Sequence, residues 1–332
     1  MIRVDRLTKE FQVAVKDPGL LGSLRSFVNR KFLVKHALKN VSLCIEPGEI
    51  MGLVGANGAG KTTLVKILSG IVHPTSGEVE VLGHVPWKRE TVFRKNISII
   101  MGQKAQLWWD LPAADCFLLL REIYQIPEPI FKQRLDELVD ELEVRGQLNV
   151  QIRKLSLGER MKMELIASML HQPKVVFLDE PTIGLDLTSQ RAIRKFLLNY
   201  RKRHRPAMIL TSHYMEDIEE LCERIVILRE GSVIYDGSLD RVLKKHALHK
   251  ILKIELAADE AGRLELSSFE IPRSLGEIIS RERGTLTVKT LRESVSETAA
   301  FVLQKLKIVD LAVEEEDIGI IVENIMRKGW VD

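Results

Sequence analysis

The sequence predicts an α/β protein with a mostly parallel, buried sheet, an antiparallel edge sheet before it, a helical subdomain within it, and a small C-terminal α+β domain. Three observations carry this expectation. Short continuous apolar runs alternate with amphipathic helical stretches along most of the chain, the pattern of strands covered on both faces. The front end instead alternates apolar and polar residues, as a strand with one wet face does. The length of 332 residues, at roughly 150 residues per domain, leaves room for about two domains.

In chain order, Val41, Leu43 and Ile45 alternate with Ser42, Cys44 and Glu46, which places an antiparallel edge sheet ahead of the core. Before it lies an unusual stretch, Val15–His36. There Leu20, Leu21, Leu24, Phe27, Val28 and Phe32 fit one helical face, and Lys16, Arg25, Arg30, Lys31 and Lys35 outweigh Asp17. This basic amphipathic insertion suits contact with anionic lipid or a membrane subunit, or packing on its own domain. Ile50–Val54, Ile97–Met101, Val175–Leu178, Met208–Leu210 and Ile225–Leu228 read as buried strands. Between the second and third, Ile130, Arg134, Leu135, Leu138, Val139 and Leu142 keep helical spacing, as do Met161, Leu165, Ile166 and Met169. They predict a helical subdomain over about 104–170. The α/β pattern fades near Leu239–Lys250. Beyond it come strand candidates at Ile251–Leu256, Thr285–Val288 and Val309–Val313, with helices at Glu293–Lys307 and Ile318–Met326. The expected domains are therefore 1–245 and 246–332.

Composition narrows the function classes. Lys+Arg 49 against Asp+Glu 46 gives a net charge of +3, and aromatics are 5%. Neither suits an obligate nucleic-acid binder, so no nucleic-acid partner is expected. Cys44, Cys116 and Cys222 lie far apart, without metal-ligand spacing, and are expected to be buried reduced thiols. No apolar run approaches about 18 residues, and the first residues carry charges where a signal peptide needs an apolar stretch. The expectation is a cytoplasmic protein whose membrane role comes through a partner.

Directly after the strand Ile50–Val54 comes Gly55-Ala56-Asn57-Gly58-Ala59-Gly60-Lys61-Thr62-Thr63. It matches G-x-x-x-x-G-K-[ST] in the strand–loop–helix context that a phosphate-cradling P-loop requires. Glycines let the backbone fold around phosphate with N–H groups inward, and the helix N-terminus adds partial positive charge. Lys61 would reach the β- and γ-phosphates, and the Thr62 hydroxyl would hold Mg²⁺. At the end of another apolar strand, Asp179 and Glu180 are adjacent carboxylates where α/β sheets bind ligands. Asp179 suits a Mg²⁺ ligand, direct or one shell removed, and Glu180 a general base on the attacking water.

With these motifs in hand, the chain resembles the ATP-binding cassette (ABC) ATPases over residues 1–240. Leu155-Ser156-Leu157-Gly158-Glu159-Arg160 is similar to the family signature LSGGQ. Asp179–Asp186 is similar to the Walker B and D-loop run, Thr211-Ser212-His213 to the switch histidine, and Gln103 to the Q-loop glutamine. The resemblance implies a P-loop ABC-type nucleotide-binding domain that uses ATP and Mg²⁺. Its cassettes pair head to tail, with ATP between one P-loop and the partner's signature around Ser156 and Gly158. It further implies that His213 contacts the γ-phosphate, that Gln103 senses nucleotide and metal beside the transport partner, and that Asp186 lies at the nucleotide interface. Phe11 is placed like the stacking aromatic, although Tyr is usual there. Leu157 and Glu159 depart from the signature while Gly158 is retained, so an active site with an altered rate is expected. Trp108 and Trp109, just past Gln103, read as partner-facing or as core.

The resemblance implies an ATP-hydrolysing transporter subunit on the cytoplasmic face of the membrane, working with a second ATP-binding subunit and multi-span permease subunits. The tail end Val309–Met326 is most similar to the drug and polysaccharide exporter branch. An importer ATPase with a regulatory tail and a soluble non-transport ABC ATPase are the alternatives.

Overall fold

The computed structural model describes residues 1–15, 31–102, 105–257, 269–282 and 284–328. It divides into two compact units between Ser238 and Leu239. The first unit begins with a three-stranded antiparallel sheet of β1 (Ile2–Val15), β2 (Lys31–Ile45) and β4 (Ser76–Val81), in the order β2-β1-β4. Between β2 and β4 the chain enters β3 (Ile50–Gly55) and then helix α1 (Lys61–Leu68). After β4 and the short helix α2 (Thr91–Lys95), β5 (Ile97–Met101) leads to a helical stretch of α3 (Ala113–Tyr124), α4 (Glu128–Glu141) and α5 (Leu157–Met169). The chain then alternates β6 (Val175–Asp179), α6 (Leu187–His204), β7 (Ala207–Thr211), α7 (Met215–Leu221) and β8 (Arg224–Arg229), and closes with β9 (Ser232–Ser238).

The central sheet has the order β5-β6-β7-β3-β8-β9. Its strands are parallel except β9, which runs antiparallel to β8. Parallel strands need crossover connections, and helices on both faces explain why β6 and β7 are apolar almost throughout. The core lies between the two sheets and α1. Ile2, Val4 and Leu7 of β1 meet Leu64, Val65 and Leu68 of α1, with Phe177 of β6, Ile209 of β7 and Val226 of β8 beneath.

The ends of the expected insertion are strand rather than helix. β1 continues to Val15 and pairs with β2 from Lys31, with Phe11 opposite Lys35 and Ala14 opposite Phe32. Phe32 therefore belongs to an exposed two-stranded ribbon, because its partner residues lie on the preceding strand and not one helical turn away. Leu20, Leu21, Leu24, Phe27 and Val28 lie outside the described residues. Cys116 and Cys222 are buried, whereas Cys44 is half-buried because it stands on the wet face of β2.

The second unit starts one helix earlier than the sequence suggests. α8 (Leu239–His246) buries Leu239 and Val242 and packs with α10 (Ile318–Lys328). The unit's antiparallel sheet runs β11-β12-β10-β13, built from β10 (His249–Leu256), β11 (Glu277–Glu282), β12 (Thr285–Leu291) and β13 (Ile308–Glu315). Leu252, Ile254, Leu286 and Val288 share a core with Val302 of α9 (Val295–Lys305). No helix among the described residues is long and apolar enough to cross a membrane.

The P-loop, the strands that present it and their core all precede Leu239. A chain ended after Ser238 is therefore expected to melt in one cooperative transition, checked by circular dichroism. A broad, non-cooperative melt would show that the first unit depends on the second.

Candidate functional site

The P-loop leaves the carboxyl end of β3 and turns into α1. Gly60, at the N-cap of α1, has φ 113°, and a Cβ there would lie 2.5 Å from the Ala37 carbonyl of β2. Only glycine satisfies both the backbone angle and the close approach. Lys61 folds back over the loop, its Nζ donating to the carbonyls of Gly55 at 2.5 Å and Ala56 at 3.3 Å. Burial holds its pKa below that of an ordinary lysine, while Glu180 and Asp179 pull it back up. An ammonium with little water and two carboxylates nearby is already set up for a polyanion.

The P-loop opens into a cleft of about 640 Å³. Asn57, Gly58, Gly60, Lys61, Thr62 and Thr63 line it from one side, Glu180 closes it at the strand end, and Phe11, Gln12, Val13, Lys35 and Ala37 line it from the β1–β2 ribbon. The structure thus brings Phe11 to the phosphate loop across some fifty intervening residues. Lys9 Nζ lies 4.8 Å from the Phe11 ring centroid, and Lys35 faces Phe11 across the ribbon. Lys35 and Gln12 had no motif to mark them; only the pairing of β1 with β2 puts them at the cleft.

Asp179 and Glu180 end β6 and diverge. Asp179 accepts from Thr211 Oγ1 at 2.7 Å and from Thr62 Oγ1 at 3.4 Å. Glu180 has φ 57°, in the left-handed region, and its carboxylate meets His213 Nε2 at 2.9 Å. The Glu180 N–H donates to Thr211, at 3.0 Å to the carbonyl and 3.2 Å to the hydroxyl. Thr211, fully buried on β7, therefore holds both acidic residues, a role no sequence motif announced. The His213 side chain is 44% exposed and that of Glu180 17%, and Glu180 lines the cleft. Among the described residues no group of three or more His, Cys, Asp or Glu could hold a metal alone. Thr62 Oγ1 and Asp179 Oδ2, 3.4 Å apart, are hard oxygen donors that fit a Mg²⁺ ion held mainly by substrate phosphates, because Mg²⁺ takes few protein ligands beside nucleotides. Gln103, expected to join them, lies outside the described residues.

The signature-like residues do not line this cleft. Ser156 caps α5 and forms a capping box with Glu159: the Ser156 N–H donates to Glu159 Oε2 at 2.9 Å, and Ser156 Oγ accepts from the Glu159 N–H at 3.3 Å. The Ser156 N–H and, at 2.8 Å, the Ser156 hydroxyl both donate to the Glu159 carboxylate and hold it below the usual range. Glutamate in place of glutamine thus keeps the capping geometry. Leu157 lies over Gly184. Gly158 abuts α6 so closely that a Cβ would sit 2.3 Å from Ser189 Oγ. Asp186 is the N-cap of α6 and accepts from Ser189 N at 2.9 Å and Ser189 Oγ at 2.7 Å, bonds that lower its pKa. Signature and D-loop therefore form one continuous surface, separate from the P-loop cleft.

Comparison with known proteins agrees with this geometry. Residues 38–183 match the family described as ABC transporter, and residues 248–314 the C-terminal domain of EvrA-like ABC transporters. The ABC transporter ATP-binding protein NatA of Bacillus subtilis (strain 168) is 32% identical over 216 residues, 65% of this chain and 87% of NatA. The methionine import ATP-binding protein MetN 2 of Enterococcus faecalis is 30% identical over 213 residues, 63% of this chain and 61% of MetN 2. A dimeric ATP-binding cassette solved in a post-hydrolysis state with ADP and Pi, MJ0796, superposes with a TM-score of 0.60 at 23% identity, covering 72% of this chain and 99% of that one; at this identity the likeness speaks for the fold. A P-loop and an acidic strand end at one cleft, with a histidine in contact with that end, together with NatA, a relative of 32% identity spanned over most of its length, assign the chain to the ATP-binding proteins of the ABC transporter family.

Proposed function

We propose that the protein is the ATP-hydrolysing subunit of an ABC exporter, paired with a second ATP-binding subunit and powering separate multi-span membrane subunits from the cytoplasmic face. The observation that carries the hydrolytic part is the divergence of Asp179 and Glu180. Asp179, with Thr62, would hold Mg²⁺, which supplies charge neutralisation at the phosphates. Lys61 and the P-loop N–H groups bind and orient the β- and γ-phosphates. Glu180 accepts a proton from the attacking water, and His213 fixes the Glu180 carboxylate while reaching toward the γ-phosphate. Phe11 stacks on the base. The signature surface around Ser156, Gly158 and Asp186, being separate from this cleft, would complete the site of a second cassette.

The transport part rests on a second groove of about 320 Å³, lined by Ile71, Gln106, Trp108, Leu120, Tyr124 and Glu164 among others. Trp108 lines it and is exposed, and Trp109 together with Leu118, Leu119 and Ile123 of α3 are exposed as well, an apolar set that suits a helix of a membrane subunit. Buried Glu164 of α5 accepts from the N–H groups of Gln106 at 2.8 Å and Leu107 at 3.2 Å. The groove is thereby tied to the helix whose N-terminus carries the signature. The exporter assignment rests on the β13–α10 end of the chain and its similarity to that branch. The likeness to MetN 2, an import protein by name, favours an importer as the second reading. Inverted vesicles holding the chain and the membrane proteins encoded beside it separate the two: cargo accumulates on ATP addition for an exporter, and no accumulation there but uptake from the opposite face would support the importer.

Glu180→Gln is expected to lower turnover by about 10²–10⁴-fold, the usual size of general-base loss, with ATP binding retained. Lys61→Ala is expected to weaken ATP binding itself. Equilibrium nucleotide binding and phosphate release on the same samples check both, and wild-type hydrolysis by Glu180→Gln would remove it from the role of base. Trp108→Ala is expected to keep basal ATPase activity while losing stimulation by the membrane subunits, measured in detergent with and without them. Full stimulation in the variant would return Trp108 to a packing role.

A further inference from the structure

Behind Glu180 and His213 lies a wholly buried carboxylate, Asp217 of α7. Its Oδ2 accepts from the hydroxyls of Thr182 and Ser212, the latter at 2.6 Å, and its Oδ1 accepts from Arg194 Nε of α6 at 2.6 Å. Thr182 stands two residues beyond Glu180, and Ser212 immediately precedes His213. Ser212 Oγ also accepts from the Tyr214 N–H at 3.0 Å, so both residues flanking His213 are bonded to one hydroxyl, which itself donates to this carboxylate. One buried oxygen therefore pins the two backbone segments that carry Glu180 and His213, whose side chains meet at 2.9 Å.

The charge balance shows what this costs. Arg194 is itself buried and reaches Glu220 at 2.8 Å with its other arm, while Glu216 lies at 3.5 Å. Taking a carboxylate and a guanidinium out of water is expensive, and a well-packed apolar pair of the same volume commonly stabilises a core as well or better. What an apolar pair cannot do is accept two hydroxyl hydrogen bonds from two different loops at one point. The carboxylate gives direction, and both directions end beside the groups that would act on water and the γ-phosphate. Thr182 also opens the loop that runs on to Asp186, so the same carboxylate links the D-loop to the switch histidine.

We propose that Asp217 is a positioning residue for hydrolysis: through Thr182 and Ser212 it sets the separation and mutual aim of Glu180 and His213. The proposal rests on the reading of that pair as the hydrolytic pair. A merely structural ion pair would, when broken, lower stability and take ATP binding and turnover down together. A positioning residue lowers kcat and leaves KM, because the phosphate cradle at Gly60–Thr63 makes no bond to this network.

The test uses the full chain and measures kcat, KM for MgATP, equilibrium ATP binding and thermal unfolding. The variants are Thr182→Val, Ser212→Ala, the two combined, and Asp217→Asn. Each single hydroxyl loss is expected to lower kcat, and the double variant and Asp217→Asn to lower it on the order of 10- to 100-fold, as small misplacements of reacting groups do. KM and ATP binding should stay within about twofold, the sign that only transition-state interactions were lost. Unchanged kcat in Thr182→Val and Ser212→Ala would overturn the proposal, as would kcat and binding falling in parallel with stability. Should Asp217→Asn fail to fold, the hydroxyl variants still decide the matter. Glu180→Gln in the same assay keeps the underlying reading separate: undiminished turnover there removes the hydrolytic pair itself, whatever the Asp217 network does.

Discussion

Two adjacent carboxylates at the end of one buried strand must point at different partners, and the geometry of the whole cleft follows from how this is done. Strand alternation alone sends Asp179 and Glu180 to opposite faces of the sheet. Instead the chain turns at Glu180 into the left-handed region at φ 57°, a conformation that costs a non-glycine residue roughly 1–3 kcal/mol and persists only where its surroundings fix it. Here they do. Gly102, at the end of the neighbouring β5, lies so close that a Cβ on it would stand 1.9 Å from the Glu180 carbonyl oxygen, and its N–H donates to the Asp179 carbonyl at 2.9 Å. Thr211 of β7 holds the other side. The turn is therefore gripped by the strands on both flanks of β6.

Everything else is arranged around that turn. β3 lies on the far side of β7 from β6, which brings the P-loop and the acidic pair to the same carboxyl edge of the sheet, the edge at which open α/β sheets bind ligands. The low-water setting that depresses the Lys61 pKa strengthens its pull on phosphate as well. The β1–β2 ribbon supplies the remaining wall, so Phe11 and Lys35 come from a separate sheet and reach the cleft only through long-range pairing. The signature helix has its own exposed N-terminus on another surface, where Gly158, Asp186 and Ser189 lie together. One chain thus presents two unlike surfaces, the P-loop cleft and the signature face, and in the proposed function each is half of a nucleotide site that a second cassette closes.

Much of this was legible in the sequence because it is local. Glycine spacing, an apolar strand and a following helix define the P-loop within a few residues, and the run from Val175 to Glu180 shows both its burial and its acidic end. What stayed hidden is non-local. Phe32 fits a helical stripe by spacing, yet it pairs across a hairpin with Ala14, a contact no window around Phe32 contains. β11, with the sequence Glu-Ile-Ile-Ser-Arg-Glu, has too little alternation to announce itself and is a strand because β12 offers it a partner. Asp217 reads as one more acid on an acidic helix; its burial comes from Arg194, twenty-three residues away. Lys35 and Gly102 likewise acquire their roles only from neighbours on other strands.

The most direct test of the central claim is single-turnover hydrolysis by Gly102→Ala, with ATP binding measured on the same sample. The added methyl group displaces the Glu180 turn without touching the P-loop, so binding should hold within a few-fold while the hydrolysis step slows by about tenfold or more, the scale on which misplaced groups act. Hydrolysis at the wild-type rate, with binding intact, would show that the strained turn over Gly102 does not govern the chemistry and would contradict the account.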